Sequence, residues 1–195
     1  MKFTPLEIEG AWVAESTVWP DNRGFFLEWF KRDEIFNATG VDFSVQQANF
    51  SLSAQGVIRG IHYSLAPSGQ AKWVTCVSGS IIDVVVDLRI DSPTFKMIEY
   101  IELEPGDGKA VLIGSGLGHG FFSKEDNSGV AYLLNSPYTP DLEYDICPTD
   151  PDLGIRWGGG SSEELILVTS AKDSFAPALK TREEQGKLPH RNSFI

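Results

Sequence analysis

At 195 residues the chain has the length of one domain and can bury a substantial core; 42% hydrophobic and 22% charged residues are ordinary for a globular protein. A net charge of −11 argues against nonspecific nucleic-acid binding and against an anionic membrane surface, while leaving room for a small anionic ligand held by a local basic cluster. No apolar run approaches membrane-spanning length, the first residues lack the apolar core of a signal peptide, and Cys76 and Cys147 have neither disulfide-framework nor metal-ligand spacing, so the cytoplasm is the expected compartment.

In chain order, alternating and β-branched runs predict strands over 24–30, 45–53, 56–63, 73–77, 81–88, 95–103, 110–113, 118–123 and 130–136. Turn signals separate them: Pro20-Asp21-Asn22, Asp91-Ser92-Pro93, Pro105-Gly106-Asp107-Gly108 and Asp126-Asn127-Ser128-Gly129. The two runs around Ser78-Gly79-Ser80 read as a hairpin. In the second arm Asp83, Val85 and Asp87 point one way, and Ile82, Val84, Val86 and Leu88 the other. Helix is expected only near 32–38 and over about 178–186, the second closed by Gly186. The Gly158–Ser162 run reads as a loop rather than a linker. Many short strands without crossover helices predict an all-β double-sheet jelly roll, with residues 1–195 as one domain.

Three histidines limit the candidates for proton transfer near neutral pH. His62 lies in an apolar strand, in Arg59-Gly60-Ile61-His62-Tyr63, with Lys72 ten residues on. A neutral imidazole can take a proton, a nearby ammonium can stabilise the resulting oxyanion, and Arg59 offers a planar fork suited to phosphate. This trio suggests proton abstraction next to a carbonyl on a phosphorylated substrate. Arg23 is a further candidate for the basic cluster. His119 sits between glycines in Gly118-His119-Gly120, and His190 reads as solvated. Tyr132, on an apolar strand, is either core or a general acid. Asp173 is either an exposed turn residue or a carboxylate that orients an imidazole. Tyr63 and Ser64 follow His62, so the H-x-H pair of metal-binding barrels is absent, and neither a metal nor another cofactor is expected.

Ordered motifs then carry a resemblance that covers residues from about Leu6 to Pro189. They are Asp21-Asn22-Arg23-Gly24-Phe25-Phe26-Leu27-Glu28, Gln47-Ala48-Asn49, Val57-Ile58-Arg59-Gly60-Ile61-His62-Tyr63, Gln70-Ala71-Lys72, Asp83–Arg89, Ser92-Pro93-Thr94-Phe95, Gly118-His119-Gly120-Phe121, Asp150–Trp157 and Lys172-Asp173. The chain resembles the dTDP-4-dehydrorhamnose 3,5-epimerases, cupin-fold enzymes of deoxysugar-nucleotide biosynthesis. The resemblance implies that His62 is the base, Asp173 its carboxylate partner, Tyr132 the acid on the opposite face, and Lys72 the group that steadies the enolate. It implies diphosphate contacts from Arg23 and Arg59, and nucleotide or sugar contacts from Phe26, Glu28, Gln47, Asn49 and Tyr138. His119, Glu143 and Lys172 are implied as further pocket members. It also implies a dTDP-sugar as the partner molecule and a homodimer in which N-terminal strands are exchanged, so that Arg23 and Glu28 serve the partner's site. Phe50, Ser64 and the absence of a proline in Ile113-Gly114-Ser115-Gly116, before Gly118-His119-Gly120, depart from the family pattern. Relatives that act at C3 alone or C5 alone keep much of the same constellation. A non-catalytic cupin and a metal-dependent cupin oxygenase are the readings from other classes.

Overall fold

Strand β8, rich in Val and Ile, is buried on both faces in the structure, a computed structural model that describes residues 1–160 and 166–191. The elements in chain order are β1 (Lys2–Pro5), β2 (Ala11–Glu15), β3 (Val18–Asp21), β4 (Gly24–Leu27), α1 (Arg32–Thr39), β5 (Gln47–Ser53), β6 (Ile58–Ser64), β7 (Lys72–Ser78), β8 (Ile81–Asp87), β9 (Ile98–Leu103), β10 (Lys109–Ile113), β11 (Leu117–Ser123), β12 (Ser128–Leu134), β13 (Glu143–Asp145), α2 (Ala171–Ser174) and α3 (Leu179–Glu184). One sheet has the order β1-β2-β10-β7-β12-β5, and a second β13-β6-β11-β8-β9. The pairings within each are antiparallel, and the result is the expected double-sheet jelly roll.

The side-chain alternation read in β8 explains how the layers stick together. Ile81 and Val85 join Val74, Val111, Phe121 and Val130 between the sheets. Ile82, Val84, Val86 and Leu88 face outward, where Tyr63, Trp157, Leu179 and Leu188 cover them. On the other side, Ile35 of α1 packs with Phe43 and Trp73 over the outer face of the six-stranded sheet. Burying side chains of this size contributes roughly 1.5–3 kcal/mol each, which offsets the entropy of ordering many short strands.

Two sequence expectations are corrected. The segments around Ser78-Gly79-Ser80 do not form a hairpin: β7 pairs with β10 and β12, while β8 pairs with β11 and β9. The tight turn carries the chain from one sheet to the other. Gly79 has φ +65°, and a Cβ there would lie 2.7 Å from the Ser128 backbone. Of the two readings of Asp173, the exposed turn residue fails, because the side chain is buried. Asp173 lies in its own single turn, α2, whose N-cap Ser170 accepts from the Asp173 backbone N–H at 3.0 Å. Strands β1, β2, β3 and β13 go beyond the expected set; they are short, and β1 and β3 contain Pro5 and Pro20. The expected loop at 158–162 begins as a 3₁₀ turn ending at Gly160, and Ser161 and Ser162 lie outside the described residues.

Candidate active site

The two sheets part at one end around a cavity of about 610 Å³. The six-stranded sheet supplies Gln47, Asn49, Lys72 and Tyr132, and the facing sheet supplies Arg59, His62 and His119. The register explains this grouping. Tyr132 lies opposite Asn49 on one side and Val74 on the other, and Leu134 lies opposite Lys72, so inward positions coincide across three strands. In the facing sheet His62 lies directly opposite His119.

Arg59 and His62 are three residues apart, which in a regular strand places them on opposite faces. The register shifts between His119 and Phe121, so that Gly60 and Ile61 together oppose Gly120. This extra residue turns both Arg59 and His62 toward the cavity. Only glycine fits at the kink: Gly60 has φ +123°, and a Cβ there would sit 2.6 Å from the Gly120 Cα.

The His62 Nε2 lies 2.8 Å from the Asp173 Oδ1. The imidazole is 40% exposed and the carboxylate 5%. Burial pushes the Asp173 carboxyl up, but hydrogen bonds and charge from His62, with hydrogen bonds from Ser170 and the Gly60 backbone, hold it below the usual value. Asp173 is thus kept as an anion that can take the Nε2 proton's hydrogen bond, and the His62 Nδ1 is left for a substrate. The Lys72 Nζ donates to the His62 carbonyl at 3.1 Å, bridging the two sheets. Burial lowers this ammonium to about 8, against the raising pull of Glu143 and Asp83. Tyr132 stands on the other wall. Burial raises its phenol, with Arg59 and a hydrogen bond to Asn49 pulling it down and Glu143 adding to the rise.

Around these groups, Glu143 accepts from Gln70 Nε2 at 2.9 Å and from Ser64 Oγ at 3.2 Å. The Gln47 amide donates to Asn49 Oδ1 at 2.9 Å, and its oxygen accepts from the Tyr138 backbone at 2.9 Å. Lys172 reaches Asp145 at 3.4 Å at the rim. His119 Nε2 lies 2.7 Å from Asp83 Oδ1. Sequence reasoning assigned no part to Gln70, Ser64, Asp83 or Ser170. The spacing Ser170-x-x-Asp173 is a cap signal that could have located the last of these.

Arg23, Phe26 and Glu28 are not in this cavity. They lie on or beside the β3–β4 hairpin, which pairs with neither large sheet. There Arg23 is bound to Asp21, Glu28 is 2.8 Å from Lys31, and Phe26 packs on Trp19 with ring centroids 5.8 Å apart. His190 is exposed, as read. Cys76 is buried and, like Cys147, free.

A family model for dTDP-4-dehydrorhamnose 3,5-epimerase matches residues 5–181. The chain belongs to that family. The dTDP-4-dehydrorhamnose 3,5-epimerase of Mycolicibacterium smegmatis is 42% identical, over 97% of this chain and 91% of that protein. The solved rmlC epimerase of Mycobacterium tuberculosis superposes with a TM-score of 0.94 at 39% identity, covering 100% of this chain and 96% of that one. ChmJ, a 3′-monoepimerase from Streptomyces bikiniensis solved in complex with dTDP-quinovose, gives 0.91 at 42% identity over 97% and 94%. The chain is accordingly an isomerase, an epimerase of dTDP-linked deoxysugars, and its cupin-type jelly roll is that of its relatives.

Proposed function

We propose that this epimerase inverts C3 and C5 of dTDP-4-dehydro-6-deoxy-D-glucose, giving dTDP-4-dehydro-L-rhamnose. The carrying observation is that His62 and Tyr132 project into one cavity from opposite sheets. Facing sheets stand about 10 Å apart, room for a sugar ring lying between a base and an acid. The C4 ketone acidifies the hydrogens at C3 and C5. His62 Nδ1 removes one, the Lys72 ammonium stabilises the enolate oxygen, and Tyr132 or water returns a proton from the other face. Asp173 steadies the imidazolium formed in between. Arg59 binds the diphosphate; Gln47, Asn49, Tyr138, Glu143, Lys172 and His119 hold nucleotide and sugar. No metal or other cofactor takes part in this scheme.

Arg23, Phe26 and Glu28 fit the scheme as contributors to a partner's cavity in a homodimer. The hairpin that carries them exposes Trp19, Phe25 and Phe26, and the edge strand β5 exposes Phe50 and Leu52, an apolar surface of the kind that a second subunit covers.

Relatives at similar identity are named both as 3,5-epimerases and as a 3′-monoepimerase, so the decisive experiment counts inverted centres. NMR of the 4-keto sugar with enzyme in D2O is expected to show deuterium and inversion at both carbons. Exchange confined to C3 or to C5 overturns the double epimerisation in favour of a mono-epimerase. No exchange at all, with nucleotide-sugar binding retained, leaves a non-catalytic cupin.

A further inference from the structure

One buried acid has no part in the scheme above. Asp83 points inward from β8, is 0% exposed, and holds the His119 Nε2 at 2.7 Å through Oδ1. Its Oδ2 is buried without a hydrogen-bond partner among the described residues. A carboxylate only accepts, so the imidazole donates from Nε2 and its lone pair lies on Nδ1. That nitrogen has no partner among the described residues and is not sealed from solvent; the ring lines the cavity. The strand around the ring is wedged in place. A Cβ on Gly118 would meet Leu88 Cδ1 at 2.7 Å, and one on Gly120 the Arg59 carbonyl at 2.8 Å.

The rest of the cavity is rich in donors: Arg59, Lys72, Lys172 and the Gln70 amide. Donors serve a diphosphate and a ketone. A sugar hydroxyl needs an acceptor for its hydrogen bond, and His119 Nδ1, on a ring held at Nε2 by Asp83, is available as one. Of the two ring hydroxyls on the proposed substrate, the one at C3 swings as its carbon inverts. The one at C2 keeps its configuration throughout, which suits an acceptor that cannot move.

We propose that Asp83 is a positioning residue: it holds His119 in the Nε2–H tautomer so that Nδ1 accepts a hydrogen bond from the C2 hydroxyl of the substrate. The assignment of the hydroxyl rests on the epimerase reading; the tautomer does not. Asp83 is unsuited to a purely structural role, because a buried acceptor without a donor destabilises the fold.

The test has two arms. In protein labelled with ¹⁵N-histidine, NMR near neutral pH should show His119 protonated on Nε2 and not on Nδ1. Asp83→Asn, whose amide can donate to the ring, should move the proton off Nε2. It should melt no lower than the native protein, because it removes a buried charge. Its kcat/KM should fall at least about tenfold further on the C2-hydroxyl substrate than on the 2-deoxy analogue, the worth of one buried hydrogen bond. A doubly protonated or Nδ1–H ring in the native protein overturns the proposal, and needs no variant and no turnover to be seen. Equal losses on both substrates also overturn it, and locate the effect of Asp83 in the charge it lends to Lys72. If the native protein turns over neither sugar, the epimerase reading fails, while the tautomer is still read from the spectrum.

Discussion

Two histidine–aspartate pairs stand side by side on one sheet, and they differ in everything except their contact. His62 and His119 are cross-strand neighbours, each meets its carboxylate through Nε2, and the distances are 2.8 and 2.7 Å. His62 is 40% exposed and its Asp173 has Ser170 and the Gly60 backbone as further hydrogen-bond partners. His119 is 10% exposed, and its Asp83 has one oxygen with no partner among the described residues. The first pair has the more open ring and a carboxylate stabilised as an anion, the two features that the proposed base needs. The second has the more enclosed ring, which still lines the cavity. A histidine–aspartate contact by itself therefore does not mark a base; exposure of the ring and the donors around the carboxylate decide what it does.

The largest effect should separate the two pairs. His62→Ala should lose exchange at both C3 and C5 by at least the roughly 10²–10⁴-fold typical of removing a general base, while still binding dTDP. His119→Ala should lower kcat/KM yet leave deuterium exchange measurable. Undiminished exchange at either carbon in His62→Ala would mean a second base, and would give the two pairs the same role.

Next comes the wall opposite. Tyr132→Phe keeps the ring's packing and removes only the acidic proton. His62 can still take a proton and return one to the same face, so washout of C5 hydrogen should persist while inversion at C5 falls on the order of 10²-fold. The ratio of deuterium incorporated with retention to that incorporated with inversion reads this directly. An unchanged ratio in a well-folded variant returns Tyr132 to the core, where it already packs beside Val74 and Val130.

His62 stood out in the sequence because its surroundings are chemically odd: a histidine in an apolar strand, an arginine before it, a lysine ten residues after. The jelly roll was legible from strand spacing and the scarcity of helix. What could not be read was how strands meet. A Ser-Gly-Ser turn suits a hairpin and a crossing between sheets equally well, so the pairing of β7 and β8 was misjudged. The irregularity at Gly60 and Ile61 depends on β11 lying alongside. The unpartnered oxygen of Asp83 depends on what β6, β7 and β11 bring near it. For Asp173 the local sequence left two readings open, a surface turn and an imidazole partner, because the 2.8 Å contact to His62 spans 111 residues of chain and only the fold brings the two together.

A smaller effect tests the cation between the pairs. Burial brings Lys72 to about 8. Its ammonium, the form that supports an enolate, is thus present below that pH and lost above it. In kcat/KM, which reports the free enzyme, an alkaline limb should begin near pH 8 and fall about tenfold per unit. Lys72→Arg should remove this limb at the expense of a lower maximum. The stability sign runs the other way. Folding lowers this group below its ordinary 10.5, so the unfolded chain binds the extra proton. Stability from Lys72 is fully present above about 10.5 and is lost as pH falls through 8, by roughly 3 kcal/mol. A pH–rate profile flat to pH 10 would show that burial does not bring Lys72 down to about 8 in the free enzyme, and an unchanged maximum in Lys72→Met would show that its charge plays no part.

The smallest effect expected is none. Each histidine of the cavity gives its Nε2 to a carboxylate, which leaves one nitrogen apiece for any ion. Among the described residues no three His, Cys, Asp or Glu side chains converge as a ligand set. A catalytic zinc site uses three protein ligands with second-shell partners behind them. Two ring nitrogens with the Lys72 ammonium close by fall short of that, and the ammonium repels a divalent cation. Prolonged treatment with EDTA should therefore leave exchange at C3 and C5 unchanged, and metal analysis of active protein should find no stoichiometric ion. Activity lost to the chelator and restored by a divalent ion would unite the two histidines as ligands of one centre, and the contrast between a mobile proton at His62 and a fixed one at His119 would collapse.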